Sequence, residues 1–218
     1  MQRDSMLAAT VMCLTQDGLG LSHPEQVRRL CAGGARWIQL RMKGADRVQW
    51  LHEARQCAAA CKAHGTLLVI NDSVDIALES GADGVHLGGK DGDWREARHR
   101  LGPDRIVGGS INFTEDARRA VASGCLDYVG VGPLRFTPTK RDLSPVLGTK
   151  GVTELIAALG GIPAWVIGGI TPADLPELKR AGAAGVAISS YLYRTGAIEE
   201  NLRELVEAWT AAPSLPPS

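Results

Sequence analysis

The segment from Asp127 to Gly148, DYVGVGPLRFTPTKRDLSPVLG, passes from a short β-branched run into Thr137-Pro138-Thr139-Lys140 on a loop bounded by glycine and proline. Threonine hydroxyls are neutral hydrogen-bond donors and Lys140 is a compact, strongly hydrated charge, a combination suited to phosphate or diphosphate. Related chemistry recurs along the chain. In Gln39-Leu40-Arg41-Met42-Lys43, alternation along an extended strand places Gln39, Arg41 and Lys43 on one side. Other apolar runs end in Asn71-Asp72, Gly88-Gly89-Lys90-Asp91, Gly109-Ser110-Ile111-Asn112, Gly168-Gly169-Ile170-Thr171 and Ser189-Ser190.

Each of these has a local explanation. Arg41 and Lys43 suit a solvated surface. Asp72 and Asp91 stand where they would cap helices starting near Val74 and Trp94, Gly168-Gly169 suits a tight turn, and Ser110 suits a polar turn. Their gathering at one end of a neutral chain is what asks for chemistry, because exposed ion pairs contribute only about 0–1 kcal/mol each. Asp72 and Asp91, from adjacent strands, would hold one Mg²⁺, with substrate phosphate oxygens and water completing the octahedron. Arg41, Lys43 and Lys140 would neutralise a diphosphate around it. Backbone N–H groups at Gly168-Gly169 and at Ser189-Ser190, each leading into a helix, form a second, smaller phosphate site. Two anion sites and one divalent ion imply two phosphorylated substrates, one a diphosphate, and displacement of pyrophosphate. A Ser-His-Asp set, a nucleophilic cysteine beside a histidine, and the glycine fingerprints of dinucleotide and P-loop sites are not readable in the sequence.

The elements that must position these residues alternate. Eight short apolar runs read as buried parallel strands: Ala8–Leu14, Trp37–Leu40, Thr66–Ile70, Gly84–Leu87, Arg105–Gly109, Tyr128–Val131, Ala164–Ile167 and Gly185–Ile188. Helical stretches fall between and after them, over Pro24–Ala32, Arg47–His64, Ser73–Ser80, Asp93–Arg100, Thr114–Ser123, Thr153–Leu159, Pro172–Arg180 and Glu199–Ala211. Ser22 before Pro24-Glu25, and Thr171 before Pro172, read as helix N-caps. Units of about 25 residues, repeated eight times, predict an α/β fold, a single-domain (β/α)8 TIM barrel over residues 1–211, with a doubly wound open sheet as the competitor. The Pro/Ser-rich residues 212–218 read as a disordered tail.

Composition sets the outer limits. With 218 residues and 44% apolar content the chain supports one sizeable core. Its 24 basic and 24 acidic residues cancel, so no global charge draws it to nucleic acid or a membrane surface. The five cysteines, Cys13, Cys31, Cys57, Cys61 and Cys125, sit among apolar neighbours and read as reduced core thiols. No convincing signal peptide and no run of about 20 apolar residues is present, so a cytoplasmic setting is expected; the anion sites call for small-molecule substrates, and a homo-oligomer is left open.

With these residues in hand the chain resembles the thiamine phosphate synthase family over about Gly34 to Leu192. The resemblance rests on QLRMK (39–43), VIND (69–72), ADGVHLG (82–88) with Asp91, GGS (108–110), DYVGVGP with TPTK (127–140), IGGI (167–170) and GVAISS (185–190). It implies a transferase that joins 4-amino-2-methyl-5-(diphosphomethyl)pyrimidine to a thiazole monophosphate by a dissociative route, giving thiamine monophosphate and pyrophosphate. It further implies Mg²⁺ on Asp72 and Asp91, the pyrimidine diphosphate on Gln39, Arg41, Lys43, Asn71, Ser110 and Lys140, and the thiazole phosphate on Thr137, Thr139, Gly169, Ser189 and Ser190. The chain departs from the family pattern at Gly89-Lys90, where glutamine and an acidic residue are usual, at Asn112, where histidine is common, and at Ser189, where an aliphatic residue is usual. A metal-free thiazole tautomerase shares this fold, but it uses a histidine near the position of Asn112. A non-catalytic binding paralogue is opposed by the intact Asp72, Asp91, Ser110 and Lys140, and a sugar-phosphate isomerase explains the second anion site but leaves Asp72, Asp91 and the TPTK loop without a task.

Overall fold

The computed structural model of the chain describes residues 2–89, 91–136 and 145–213. The strands β1 (Val11–Leu14), β2 (Trp37–Leu40), β3 (Leu67–Asn71), β4 (Gly84–Leu87), β5 (Ile106–Ile111), β6 (Tyr128–Val131), β7 (Ala164–Ile167) and β8 (Gly185–Ile188) close into a barrel in sequence order. All the pairings are parallel, including the closing pair of β8 with β1 through Val186 opposite Val11. This is a (β/α)8 barrel, and its strands are apolar nearly throughout because parallel strands are covered on both faces.

The helices are α1 (Gln2–Leu7), α2 (His23–Ala32), α3 (Arg47–His64), α4 (Val74–Ser80), α5 (Trp94–Leu101), α6 (Thr114–Ser123), α7 (Gly148–Ala157), α8 (Leu175–Arg180), α9 (Ser190–Tyr193) and α10 (Ile198–Ala211). Ser22 caps α2 by accepting the Glu25 N–H, as its type and place predict. Pro172 opens a single 3-10 turn before α8, with Thr171 and Asp174 forming a capping box. Two differences have clear physical causes. The run Ala8–Leu14 yields a strand only from Val11, because α1 precedes it, with Met6 buried and the Ala9 carbonyl accepting the Trp165 indole N–H at 3.1 Å. Helix α7 begins at Gly148 rather than Thr153, since Leu147 N–H is held by Pro133 O and Gly148 N–H by Leu134 O, which starts the helix earlier than the glycines suggest.

Inside the barrel, Met12, Trp37, Leu67, Ile106, Tyr128 and Trp165 share one buried cluster. Trp37 packs edge-on to Tyr128 and Trp165, with ring centroids 4.6 and 5.0 Å away. Such pairs contribute about 0.5–1.5 kcal/mol beyond area burial. Alternation then carries the inward face of β2 from Trp37 to Gln39, of β3 from Val69 to Asn71, of β4 from Gly84 to His86 and of β5 from Gly108 to Ser110. The inward face of β2–β5 is thus apolar toward the strand starts and polar toward their carboxyl ends.

The opposite end is tied by carboxylates. Asp127, before β6, is nearly buried, accepts the Val107 N–H at 2.8 Å and pairs with Arg98 and Arg3. Asp83, before β4, accepts the Leu68 N–H and the Gln2 amide. All five cysteines are free thiols; Cys13, Cys31, Cys57 and Cys61 are buried and Cys125 partly so. Residues 214–218 of the expected tail lie outside the described residues, while Ala212 is buried and its carbonyl accepts the Lys179 ammonium at 2.7 Å.

Candidate active site

The local explanations for the two aspartates do not hold. Ser73, not Asp72, caps α4, its hydroxyl accepting the Ile76 N–H at 3.2 Å. Asp93, not Asp91, caps α5 through the Arg95 and Glu96 N–H groups. Asp72 instead sits just past β3 with φ 69°, the one non-glycine residue at positive φ among the described residues. Its N–H donates to the His86 carbonyl at 2.9 Å, and its carboxylate pairs with the Lys43 ammonium. Left-handed backbone costs a residue with a Cβ about 1–2 kcal/mol, less for Asp and Asn, so local strain is kept here at a strand end.

Asp91 comes from the turn after β4. One of its carboxylate oxygens accepts the Gly88 N–H at 2.8 Å. Its carboxyl is held above the usual carboxylate range, first by burial and then by a hydrogen bond and like charge from Asp72, with the Gly88 N–H and Lys43 pulling the other way. Asp72 and Asp91 line one cavity, and a cation between them would offset the like charge that adds to burial in raising Asp91. A hard divalent ion such as Mg²⁺ is commonly held by one or two carboxylates plus substrate oxygens, so this donor pair fits one.

Neighbouring strand ends supply the rest. Gln39 and Asn71 are buried on β2 and β3, and Ser110 lies on β5 rather than in a turn. Arg41 and Lys43 follow β2 on a segment held from below, because Arg41 N–H donates to Thr15 Oγ1 at 3.0 Å and Lys43 N–H to Asp17 Oδ2 at 3.1 Å. The buried His23 bridges those two acceptors, with Nδ1 2.8 Å from Thr15 Oγ1 and Nε2 3.0 Å from Asp17 Oδ1.

On the far side of the barrel mouth, Gly168 (φ 108°) and Gly169 (φ 66°) form the turn after β7. The backbone carbonyl of Gly169 accepts from Arg135, which also makes a two-pronged pair with Asp174 at 2.7 and 2.5 Å. Arg135 holds the Asp174 carboxyl below its ordinary range. Ser189, just after β8, donates to Gln16 Oε1 at 3.2 Å, and Ser190 begins α9. Asn112 gives its amide to the Gly132 carbonyl and so ties β5 to the turn after β6. Thr137, Thr139, Lys140 and Lys90 lie outside the described residues.

His86, Tyr128, His23 and Thr15 were not singled out by sequence. His86 bonds Ser110 and Tyr128, whose separations of 24 and 42 residues leave no local pattern. Strand alternation was the available signal, since it puts His86 on the same inward face as Gln39, Asn71 and Ser110.

The family model described as thiamine monophosphate synthase matches residues 10–192. The chain belongs to that family. It is 41% identical over 197 residues to the thiamine-phosphate synthase of Bacteroides fragilis, covering 88% of this chain and 96% of that one. It is also 41% identical over 179 residues to the corresponding protein of Chlorobium limicola, covering 82% and 84%. Among solved structures, thiamine phosphate pyrophosphorylase from Pyrococcus furiosus superposes with a TM-score of 0.84 at 27% identity, covering 97% of this chain and 99% of that one. A family member of this length and fold is a transferase with small-molecule substrates, and no helix among the described residues is long and apolar enough to cross a membrane.

Proposed function

We infer that the chain condenses the pyrimidine methyl diphosphate with the thiazole monophosphate, releasing pyrophosphate, in a Mg²⁺-dependent and dissociative reaction. The observation that carries this reading is that Asp72 and Asp91, from adjacent strand ends, line one cavity, with Lys43 paired to Asp72 and the inward face of β2–β5 polar toward the strand ends. Bound on Asp72 and Asp91, Mg²⁺ would supply charge neutralisation to the departing diphosphate. The bond between the methylene carbon and the diphosphate oxygen breaks with its electron pair leaving on the oxygen. The pyrimidine amino group delocalises the charge left on carbon, and the thiazole nitrogen gives its lone pair to form the new C–N bond.

Such a reaction needs positioning and charge more than a protein nucleophile. Arg41 and Lys43 provide cationic donors on the diphosphate side, Gln39, Asn71 and Ser110 provide polar groups inside the mouth, and Lys140 with Thr137 and Thr139 would complete the anion contacts. The Gly168-Gly169 turn and Ser189-Ser190 lie across the mouth, a placement suited to the thiazole phosphate. The test is product mass after incubation with both precursors and Mg²⁺. Thiamine monophosphate appearing only when both are present supports the reading; a folded chain that binds either precursor yet forms no product overturns it and favours a non-catalytic paralogue.

A further inference from the structure

Two of the residues that the resemblance assigns to the pyrimidine diphosphate, Gln39 and Ser110, lie beside two groups with no task so far. His86 on β4 sits with Nδ1 2.9 Å from the Tyr128 hydroxyl and Nε2 2.9 Å from Ser110 Oγ. The Gln39 side chain, whose Nε2 donates to Met12 Sδ at 3.9 Å, also bears on the same tyrosine hydroxyl and favours its ionised form. Tyr128 is fully buried and His86 nearly so. Room for the pair is made by glycine. A Cβ on Gly108 would stand 2.2 Å from the Tyr128 ring, and one on Gly130 would stand 3.2 Å from His86 Cε1.

The order of donors and acceptors gives the chain a direction. Burial opposes the phenolate and pushes the Tyr128 hydroxyl up, so it keeps its proton, while Gln39 acts in the opposite sense, as a donor near the phenol oxygen does; His86 Nδ1, 2.9 Å away, is the acceptor in reach. The phenol hydrogen then goes to His86 Nδ1. A neutral imidazole that accepts at Nδ1 carries its hydrogen on Nε2, so Nε2–H donates to Ser110 Oγ. The serine hydrogen is then turned away from His86.

We propose that His86 and Tyr128 are positioning residues for the condensation: the run Gln39–Tyr128–His86–Ser110 fixes the Ser110 hydroxyl as a hydrogen-bond donor to the leaving diphosphate. The inference rests on the reading above that Ser110 faces the pyrimidine diphosphate. Both act through the Ser110 hydroxyl, and neither gives up a proton.

The direction is read without substrate by ¹⁵N NMR of the histidine-labelled full chain, with His86 assigned by its absence in His86→Gln. A neutral imidazole protonated at Nε2 is expected, and Tyr128→Phe, which keeps the ring packing, should shift it toward a mixture of tautomers. In turnover, Tyr128→Phe should lower kcat/KM for the pyrimidine diphosphate about tenfold, the scale of one hydrogen bond in a dry site, with the KM for thiazole phosphate unchanged. Tyr128→Phe combined with Ser110→Ala should be no worse than Ser110→Ala alone, because the first change acts through the second residue. His86→Gln, whose amide can donate to Ser110, should retain more activity than His86→Leu. A wild-type imidazole protonated at Nδ1, or losses that multiply in the double variant, would overturn the proposal. A wild-type chain that makes no product overturns the underlying reading instead, and the tautomer measurement still decides the direction of the bonds.

Discussion

Lys43 and Asp72 form an ion pair between the ends of β2 and β3, and Asp72 makes it from a left-handed backbone conformation, φ 69°. In the proposed reaction the pair would bring together one cation for the diphosphate and one carboxylate for the metal. Lys43 thus neutralises Asp72 while the aspartate also faces Asp91.

Asp72→Asn and Asp72→Ala separate chemistry from folding. Both remove the charge and should lower turnover by more than about 100-fold, the scale of lost transition-state electrostatics. Only alanine resists the left-handed conformation, at a cost of about 1 kcal/mol, which lowers Tm by about 2–4 °C in a chain of this size. Asn tolerates that conformation, so its Tm should stay close to wild type. Retained activity in either variant at saturating Mg²⁺ would contradict the metal assignment.

Asp91 predicts a pH dependence with a definite sign. Its carboxyl is raised in the folded chain, so the fold favours the protonated form and the ionised form opposes folding above the ordinary carboxylate pKa. That penalty disappears as pH falls through the raised value. Mg²⁺ needs the ionised form, so its affinity should begin to fall at a pH above the usual carboxylate range. At neutral pH, Asp91→Asn should raise the metal-free Tm and abolish the Tm increase that Mg²⁺ gives the wild type. That increase corresponds to about 2.7 kcal/mol at one hundred times Kd. Calorimetric scans with and without Mg²⁺ read both effects, and an unchanged Mg²⁺ response in Asp91→Asn would count against the two-carboxylate site.

Asp127 should matter for the fold and not for the chemistry. It is nearly buried, pairs with Arg98 and Arg3 and accepts the Val107 N–H. Removing one partner of such a pair costs about 3–5 kcal/mol. Asp127→Ala should therefore melt at least about 6 °C lower at 2–4 °C per kcal/mol, with turnover per folded molecule retained below the transition. A Tm within a degree of wild type would show that the clamp contributes little.

Lys140 belongs to the diphosphate side by resemblance. Lys140→Ala should lower kcat more than it raises the KM for thiazole phosphate. An effect confined to that KM would move Lys140 to the other anion site.

The barrel was legible because each buried parallel strand is a short apolar run and some helix starts carry a cap signal, as at Ser22. Helix α1 was not, since a six-residue helix has little stability of its own and is held by Met6 in the barrel interior. The strand-end residues Gln39, Arg41, Asp72, Asp91 and Ser110 stood out by type and place. Their connections did not. His86 reaches Tyr128 and Ser110 from other strands, and His23 supports the Arg41–Lys43 segment through Thr15 and Asp17, contacts that only barrel closure creates. The positive φ at Asp72 was equally hidden, because nothing in VIND marks which of its residues bends the chain.

The most direct test is pyrophosphate release from the two precursors together, followed continuously first with Mg²⁺ and then with EDTA. The account predicts pyrophosphate and thiamine monophosphate in equal amounts with Mg²⁺, release that stops on chelation, and recovery when Mg²⁺ is restored. Undiminished release in EDTA would contradict the role given to Asp72 and Asp91, and no release under either condition from a folded chain would contradict the condensation itself.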